Sequence, residues 1–583
     1  MIPLIPTLYL GNFKAFAHTQ KIPLKPLTLI YGPNSSGKSS LIHSLLLACH
    51  SLETGELDTY TTKIGGEAVD LGGFGQYVYK RDRSNRVTWG VDLNPRCLGN
   101  DLKDLLAPVQ TLTLTLTLGE QDSTIAIQSL QLESDQQEIL YMSRRRNNPL
   151  LRCDRLNRDH PLIVSILDAS IAVNTLTELT ENDRHTLAEA IDDFSLKLTA
   201  AVNHWLPAQL NHPNFDQPIS SSDRLNPTLT PINPENRTPK LNEIATFWLY
   251  HRLNDLIQSI HQSVGHHLVN LRYLGPLRSY PPRHFGAARQ QDPNWEAGGG
   301  FAWQTLLTNA AVRKKVNTWL GDPELMKTPY QLVLRELIPH TDLTPDLMPL
   351  IQESLQKLAV KLISHASGLG SEVQSEVERL MGDIESLSTP EQPAHTLPEI
   401  EALVSMLEDS ETIAEEWTQA LSNQSSERTV DLVLVDQRSQ TPVSHRDVGI
   451  GISQVLPILV SCYAIKQSTL AIEQPEIHLH PRLQAELADV FLESALGTSR
   501  NTFLLETHSE NLLLRIMRRM RETHSNTLPP GCLPVTPDDI CILYVDPTGS
   551  SSVIQEIPLN RRGELVKAWP GGFFEEGLEE VFA

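Results

Sequence analysis

Apolar and polar positions along the chain fall into blocks of different period. Leu8, Leu10 and Phe13 predict a first strand, and Pro26 to Tyr31 a second that runs straight into a glycine-bearing loop. The unbroken apolar set Leu41, Ile42, Leu45, Leu46 and Leu47 then predicts a helix from Ser39 to about His50. Gly65-Gly66 and Gly72-Gly73 mark turns. From Thr111 to Leu118 threonine and leucine alternate strictly, and Ile125, Ile127, Leu130 and Leu132 continue in that style, which predicts a half-buried antiparallel hairpin. Between Pro161 and Leu206 the period becomes helical. Asn211 to Pro239, with prolines at 213, 218, 227, 231, 234 and 239, reads as a long loop. A helix is predicted from Leu241 to about Gly265, then a strand from His267 to Leu274 leading into Gly275-Pro276-Leu277-Arg278. Residues 300–425 are mostly helical in pattern, with a break at Ser388 to Pro398 and no sustained heptad. After Thr429 strands and helices alternate to the end. The pattern as a whole is an α/β core split by a largely helical insertion.

Composition narrows the function classes. At 583 residues the chain exceeds one core of ordinary size, so more than one lobe is expected. No apolar run is long enough to span a bilayer, and the first residues lack a secretory pattern, so a cytoplasmic, non-membrane protein is expected. Six scattered cysteines at 49, 97, 153, 462, 532 and 541 read as small buried apolar residues rather than a disulfide framework. The net charge of −22 argues against a surface that embraces nucleic acid throughout. Arg144, Arg145, Arg146, Arg152, Arg155 and Arg158 are the best local basic group; they fit a nucleic-acid patch or a solvated loop.

Gly32-Pro-Asn-Ser-Ser-Gly37-Lys38-Ser39 satisfies the G-x-x-x-x-G-K-[ST] phosphate-loop pattern, between a predicted strand and a predicted helix. In such a loop, backbone N–H groups surround phosphate oxygens, Lys38 neutralises the β/γ oxygens and the Ser39 hydroxyl ligates Mg²⁺. Asn34, Gly37, Lys38, Ser39 and Ser40 are the candidate nucleotide-binding residues here. Further on, Gly449-Ile-Gly451-Ile-Ser453 precedes an apolar helix, placing Ser453 at a helix start. Glu473-Gln474-Pro475-Glu476 closes an apolar strand in carboxylates suited to hold a metal and orient water. His508 follows another apolar strand. His478 and His480 have no third ligand nearby, so a zinc site is not expected.

Together, the opening segment Leu8 to Phe16, the phosphate loop, the Ser453 segment, the Glu473–His480 segment and Leu504-Leu-Glu506-Thr507-His508 resemble the ABC-type ATPase heads of the RecF, SMC and overcoming-lysogenisation-defect group. The resemblance implies an ABC-type P-loop ATPase head. Its expected parts are an N-terminal lobe at 1–140, an insertion at 141–425 with a core-returning strand near 267–278, and a C-terminal lobe at 426–583. It also implies roles: Lys14 or Phe16 on the base or ribose, Gln76 as a Q-loop glutamine, Ser453 as the signature serine reaching the other protomer's ATP, Glu473 on Mg²⁺ with Ser39, and His508 as the switch histidine. Glu473, Gln474, Glu476 and His508 form the expected catalytic set. Gln474 stands where the family commonly has a catalytic glutamate, which implies slow hydrolysis or a base role for Glu476.

Tyr273 to Ser279 with Arg283, and Trp569 to Glu576, extend the likeness to bacterial AAA ATPases of poorly defined function. Only 75 residues follow His508, and they lack an Asp-x-Asp, so a Toprim nuclease domain is not expected. The implied activity is ATP-driven homodimerisation by an ATP sandwich, controlling a nuclease or toxin effector in trans during anti-phage or foreign-DNA defence. The alternative is a DNA-repair or chromosome-associated ATPase that binds DNA directly.

Overall fold

The computed structural model describes residues 4–146, 148–172, 181–215, 237–279, 294–323, 325–337, 429–443, 448 and 450–570. The N-terminal elements are β1 (Thr7–Gly11), β2 (Gln20–Pro23), β3 (Leu27–Tyr31), α1 (Lys38–Thr54), α2 (Phe74–Tyr77), β4 (Val87–Leu93) and α3 (Lys103–Leu106). Next come β5 (Leu112–Gln121), β6 (Thr124–Ser134), β7 (Gln137–Arg144), β8 (Leu150–Leu156), α4 (Pro161–Ala172), α5 (Glu181–Lys197), β9 (Thr199–Ala201) and β10 (Leu210–Asn211). The middle contains α6 (Arg237–Val269), β11 (Leu271–Leu274), α7 (Gly300–Thr308), α8 (Ala310–Gly321), β12 (Tyr330–Leu337), β13 (Thr429–Asp436) and β14 (Thr441–Val443). The C-terminal part adds α9 (Ile450–Ala464), β15 (Thr469–Glu473), α10 (Pro481–Leu496), β16 (Thr502–Glu506), α11 (Glu510–His524), β17 (Ile540–Thr548) and β18 (Ser551–Glu556).

Six strands form the sheet that matters for function, in the order β11-β15-β16-β3-β17-β18. All neighbours are parallel except the β17–β18 hairpin. Every residue of β3 and β15 is buried, as expected for strands covered on both faces. β3 comes from the start of the chain and is flanked by β16 and β17 from its end, so the two distant halves build one sheet. A second, antiparallel sheet has nine strands in the order β10-β9-β8-β7-β6-β5-β4-β1-β2. Its β5–β6 hairpin is the one the Thr/Leu alternation predicts, with Leu112, Leu114, Leu116 and Leu118 buried. An edge-to-face Trp89–Trp205 pair at 5.3 Å lies in this core.

The chain divides into two compact units, residues 1–332 with 434–583, and residues 333–433. Within the described part of the second, Arg335 Nη2 lies 3.4 Å from Asp431 Oδ2. No helix among the described residues is long and apolar enough to cross a membrane.

Several elements differ from the sequence reading. α6 starts before Pro239, which occupies its first turn, where the missing N–H costs no hydrogen bond. The same helix runs on to Val269, so the predicted strand at 267–274 shrinks to β11. Ile260, Val264 and Leu268, buried at helical spacing, outweigh the strand-like composition. Phe13 ends outside β1, because Asn12 and Lys14 adopt positive φ. Cys49, Cys153, Cys462 and Cys541 are buried as expected, whereas Cys97 is exposed. Most of the expected 300–425 helical region, including its break at Ser388–Pro398, lies outside the described residues.

His267, on the last turn of α6, places Nε2 3.1 Å from Thr469 Oγ1. Burial, with neighbouring His266, holds its pKa down to about 4. The unfolded chain takes up this proton near pH 6.5, so the native state loses roughly 3 kcal/mol between about pH 6.5 and pH 4. Urea unfolding at pH 7 and pH 4.5 is expected to show a smaller acid loss in His267→Gln than in wild type; equal losses exclude His267 as the source.

Candidate nucleotide site

The site is assembled where β3, β15 and β16 end side by side. β3 is followed by the phosphate loop, and Gly37 caps α1 with φ 99°, a left-handed conformation that suits glycine. A side chain there would also strike Ala15, its Cβ falling 2.4 Å from that of Ala15. α1 begins at Lys38, so its N-terminal N–H groups open toward the loop, an arrangement suited to phosphate.

Lys38 is only 4% exposed, and its Nζ donates to Gly32 O at 3.1 Å and Pro33 O at 3.0 Å. The same ammonium lies 3.9 Å from Glu506 Oε1 at the end of β16. Burial lowers the Lys38 pKa, while Glu506, Glu476 and Glu473 oppose that effect. The Ser39 hydroxyl neighbours the Glu506 carboxyl and favours its charged form. Burial, together with the adjacent Glu473, pushes Glu506 up to about 7 against the opposing pull of Ser39 and Lys38.

Glu473 closes β15 and is 8% exposed. Its Oε1 is 3.5 Å from His43 Nε2, and His43 Nδ1 is 2.6 Å from Lys14 Nζ. Burial lowers the pKa of His43 and brings that of Lys14 down to about 8. A neutral imidazole can accept from the Lys14 ammonium and turn Nε2–H toward Glu473 Oε1, an approach of 3.5 Å that makes no hydrogen bond. Lys14 is therefore drawn in beside the carboxylates.

Glu476 is clamped. Its Oε2 accepts from Thr507 Oγ1 and its Oε1 from His508 N, both at 2.7 Å. Gln474 adopts φ 45°, and its N–H donates to Glu506 O at 2.7 Å, locking the turn after β15 to the end of β16. Burial and the Lys38 charge lower the His508 pKa, favouring its neutral ring. Among the described residues, Glu473 Oε1, Glu506 Oε2 and His508 Nε2 are buried without a hydrogen-bond partner. Such unmet polar atoms around a phosphate loop are what a bound phosphate and cation would satisfy.

The remaining predicted residues are placed as follows. Ser40 is buried on α1 and Asn34 is exposed on the loop. Gln76 is exposed on α2, which follows Gly72-Gly73. Ser453 is 1% exposed and lies within α9, which already begins at Ile450. Gly451 permits this close packing, since a Cβ there would fall 2.7 Å from His478 O. Gly449 and Arg283 lie outside the described residues, as does the Gly571–Glu576 part of the C-terminal motif. His480 Nδ1 accepts from Arg482 N and caps α10, and no group of three or more His, Cys, Asp or Glu among the described residues is set to hold a metal alone.

Two contributors, His43 and Glu506, escaped the sequence reading, and a third, Arg278, takes a definite place. His43 stands one helical turn after Ser39, a spacing that puts it on the same face. Glu506 immediately precedes the Thr507-His508 pair. Arg278, whose segment suggested either a phosphate-facing or a solvated arginine, is 4% exposed. Its Nη2 donates to Glu473 O at 3.0 Å, while its main chain exchanges two 3.3 Å hydrogen bonds with the Gln454 side chain on α9.

The clamp on Glu476 yields a stability prediction. In Glu476→Gln the new amide can serve only one of the two donors as acceptor, leaving a mismatch with the fixed His508 N–H or a turned Thr507 hydroxyl. The variant is expected to lose about 1–3 kcal/mol in urea unfolding with an unchanged slope; wild-type stability contradicts the clamp.

Two family models match the chain: "AAA domain" over residues 7–193, and "AAA domain, putative AbiEii toxin, Type IV TA system" over residues 358–515. No curated protein shows significant similarity to the chain. Among solved structures, an Smc head bound to the C-winged helix domain of ScpA aligns with TM-score 0.33 and 9% identity, covering 96% of this chain and 98% of that one. The Smc head with an extended coiled coil bound to the C-terminal domain of ScpA, derived from Pyrococcus furiosus, gives 0.32 and 8%, covering 99% of each chain. The SMC head domain from Thermotoga maritima gives 0.30 and 8%, covering 96% of this chain and all (100%) of that one. Superposition scores this low do not define a fold; the strand order and the placement of the motifs do. The parallel sheet gathers the phosphate loop, the acidic strand end and the histidine strand, and residues 7–193 and 358–515 are each similar to AAA-domain ATPases.

Proposed function

We propose that the protein binds ATP with Mg²⁺ at the ends of β3, β15 and β16, hydrolyses it slowly, and uses the nucleotide to drive homodimerisation. The observation that carries this reading is the buried Lys38 ammonium, held by loop carbonyls and Glu506 and surrounded by the unmet atoms of Glu473, Glu506 and His508. Lys38 would exchange its carbonyl and carboxylate partners for β/γ-phosphate oxygens. Ser39 and Glu473 would hold the cation, which supplies charge neutralisation for the transferred phosphoryl group. His508 would offer Nε2 to the terminal phosphate, and Lys14, through His43, would keep Glu473 oriented.

Slow turnover follows from the residues after Glu473. Gln474 can orient water but cannot accept its proton, and both oxygens of Glu476 already accept hydrogen bonds. In the dimer, the start of α9 would face the partner's nucleotide. Ser453 is buried in the single chain, so α9 must shift for its hydroxyl to take part.

We place this switch in anti-phage or foreign-DNA defence with a nuclease or toxin effector in trans. Support comes from the resemblance to overcoming-lysogenisation-defect ATPases and from the toxin–antitoxin wording of one matching family model. Among the described residues after His508, β17 and β18 complete the six-stranded sheet. Direct DNA binding has less support, because Arg145, Arg155 and Arg158 pair with Asp154, Glu138 and Asp192, and Arg144 donates to Ile127 O.

Lys38→Ala is expected to weaken ATP binding by about two orders of magnitude by calorimetry, the cost of about 3 kcal/mol of charge-assisted contacts; unchanged affinity refutes the site. Gln474→Glu is expected to raise steady-state hydrolysis about tenfold or more, in line with a gained general base. No acceleration there, with loss of activity in Glu476→Gln, would assign the base to Glu476. Sedimentation with a nonhydrolysable ATP analogue should show dimers for wild type and monomers for Ser453→Arg; dimers of both would remove α9 from the interface.

A further inference from the structure

We infer that Glu506 is a second acidic group of the magnesium site, sharing the cation with Glu473 and Ser39. The inference rests on the nucleotide-site reading above, and its grounds are geometric. β15 and β16 are parallel with Glu473 opposite Glu506, so the two side chains leave the sheet on the same face at the same level. Both carboxylates are buried, at 8% and 5% exposure, and each keeps one oxygen without a hydrogen bond among the described residues, that of Glu473 facing His43 Nε2 at 3.5 Å. The Ser39 hydroxyl, assigned to the cation by the phosphate-loop pattern, lies near enough to the Glu506 carboxyl to pull its pKa down.

Electrostatics gives the pairing its sense. Two carboxylates side by side in a dry site repel each other, and Lys38 is the cation that lies beside Glu506 at 3.9 Å. Once Lys38 turns to phosphate, Glu506 loses that counter-charge. A divalent cation taking oxygen ligands from Ser39, Glu473, Glu506 and the nucleotide replaces it and neutralises both acids. Glu506 thus serves Lys38 at rest and the cation when nucleotide is bound.

The test uses Mn²⁺ as the probe, counting free ion by electron paramagnetic resonance in the presence of a nonhydrolysable ATP analogue, with the full chain. Glu506→Gln is expected to weaken Mn²⁺ binding about tenfold or more, the same loss expected of Glu473→Gln. Affinity for the analogue in excess EDTA is expected to change less than about threefold. Mn²⁺ affinity within about twofold of wild type overturns the inference. So does tighter analogue binding in EDTA with unchanged Mn²⁺ affinity, which makes Glu506 only the resting partner of Lys38. If Glu506→Gln does not fold, Glu506→Asp decides: the shorter carboxylate is expected to weaken Mn²⁺ severalfold, and an unchanged affinity overturns the inference. Wild type that binds the analogue but no Mn²⁺ defeats the role of Glu506 alone, whereas wild type that binds neither defeats the nucleotide site as well.

Discussion

A single buried ammonium joins the two ends of this chain. Lys38 belongs to the first helix, and the carboxylate it faces, Glu506, closes a strand from the far end of the sequence. Burying a lysine charge is costly unless it is paired and hydrogen-bonded, and here two loop carbonyls and one carboxylate share the work. The parallel sheet provides the frame, since β3 lies between β16 and β17 and aligns the loop with the acidic strand end. Anything inserted between the halves leaves this junction intact, provided both strands return to β3.

The second consequence of that frame is a link between the acidic strand end and α9. Arg278, leaving the strand beside β15, holds the Glu473 carbonyl with its guanidinium and grips Gln454 with its main chain. Gln454 is the residue after Ser453. A shift of the β15 end on nucleotide binding is thereby connected through one residue to the helix that the proposed dimer requires to move. Gly451, packed against His478 O, brings the same helix close to the turn after β15 from the other side.

How far the sequence revealed this depends on the kind of signal. The phosphate loop was legible because glycine and lysine at fixed spacing between an apolar strand and an apolar helix have few alternative explanations. The β5–β6 hairpin was legible because strict alternation has a single burial solution. Pro239 misled because proline breaks a helix interior but is tolerated in its first turn. Gly451 suggested a turn, yet in the fold it permits a close helix approach, which buries Ser453. His43 and Glu506 escaped because their roles arise from strand register and helix face across distant segments, and only the folded sheet brings them together.

The most direct measurement is a structure of the protein with a nonhydrolysable ATP analogue and Mn²⁺, with the metal located by its anomalous signal. The account predicts Lys38 Nζ on the β/γ-phosphate oxygens, released from Gly32 O and Pro33 O, with the metal at Ser39 and Glu473. A nucleotide bound elsewhere, with Lys38 still holding those carbonyls and Glu506, would contradict it.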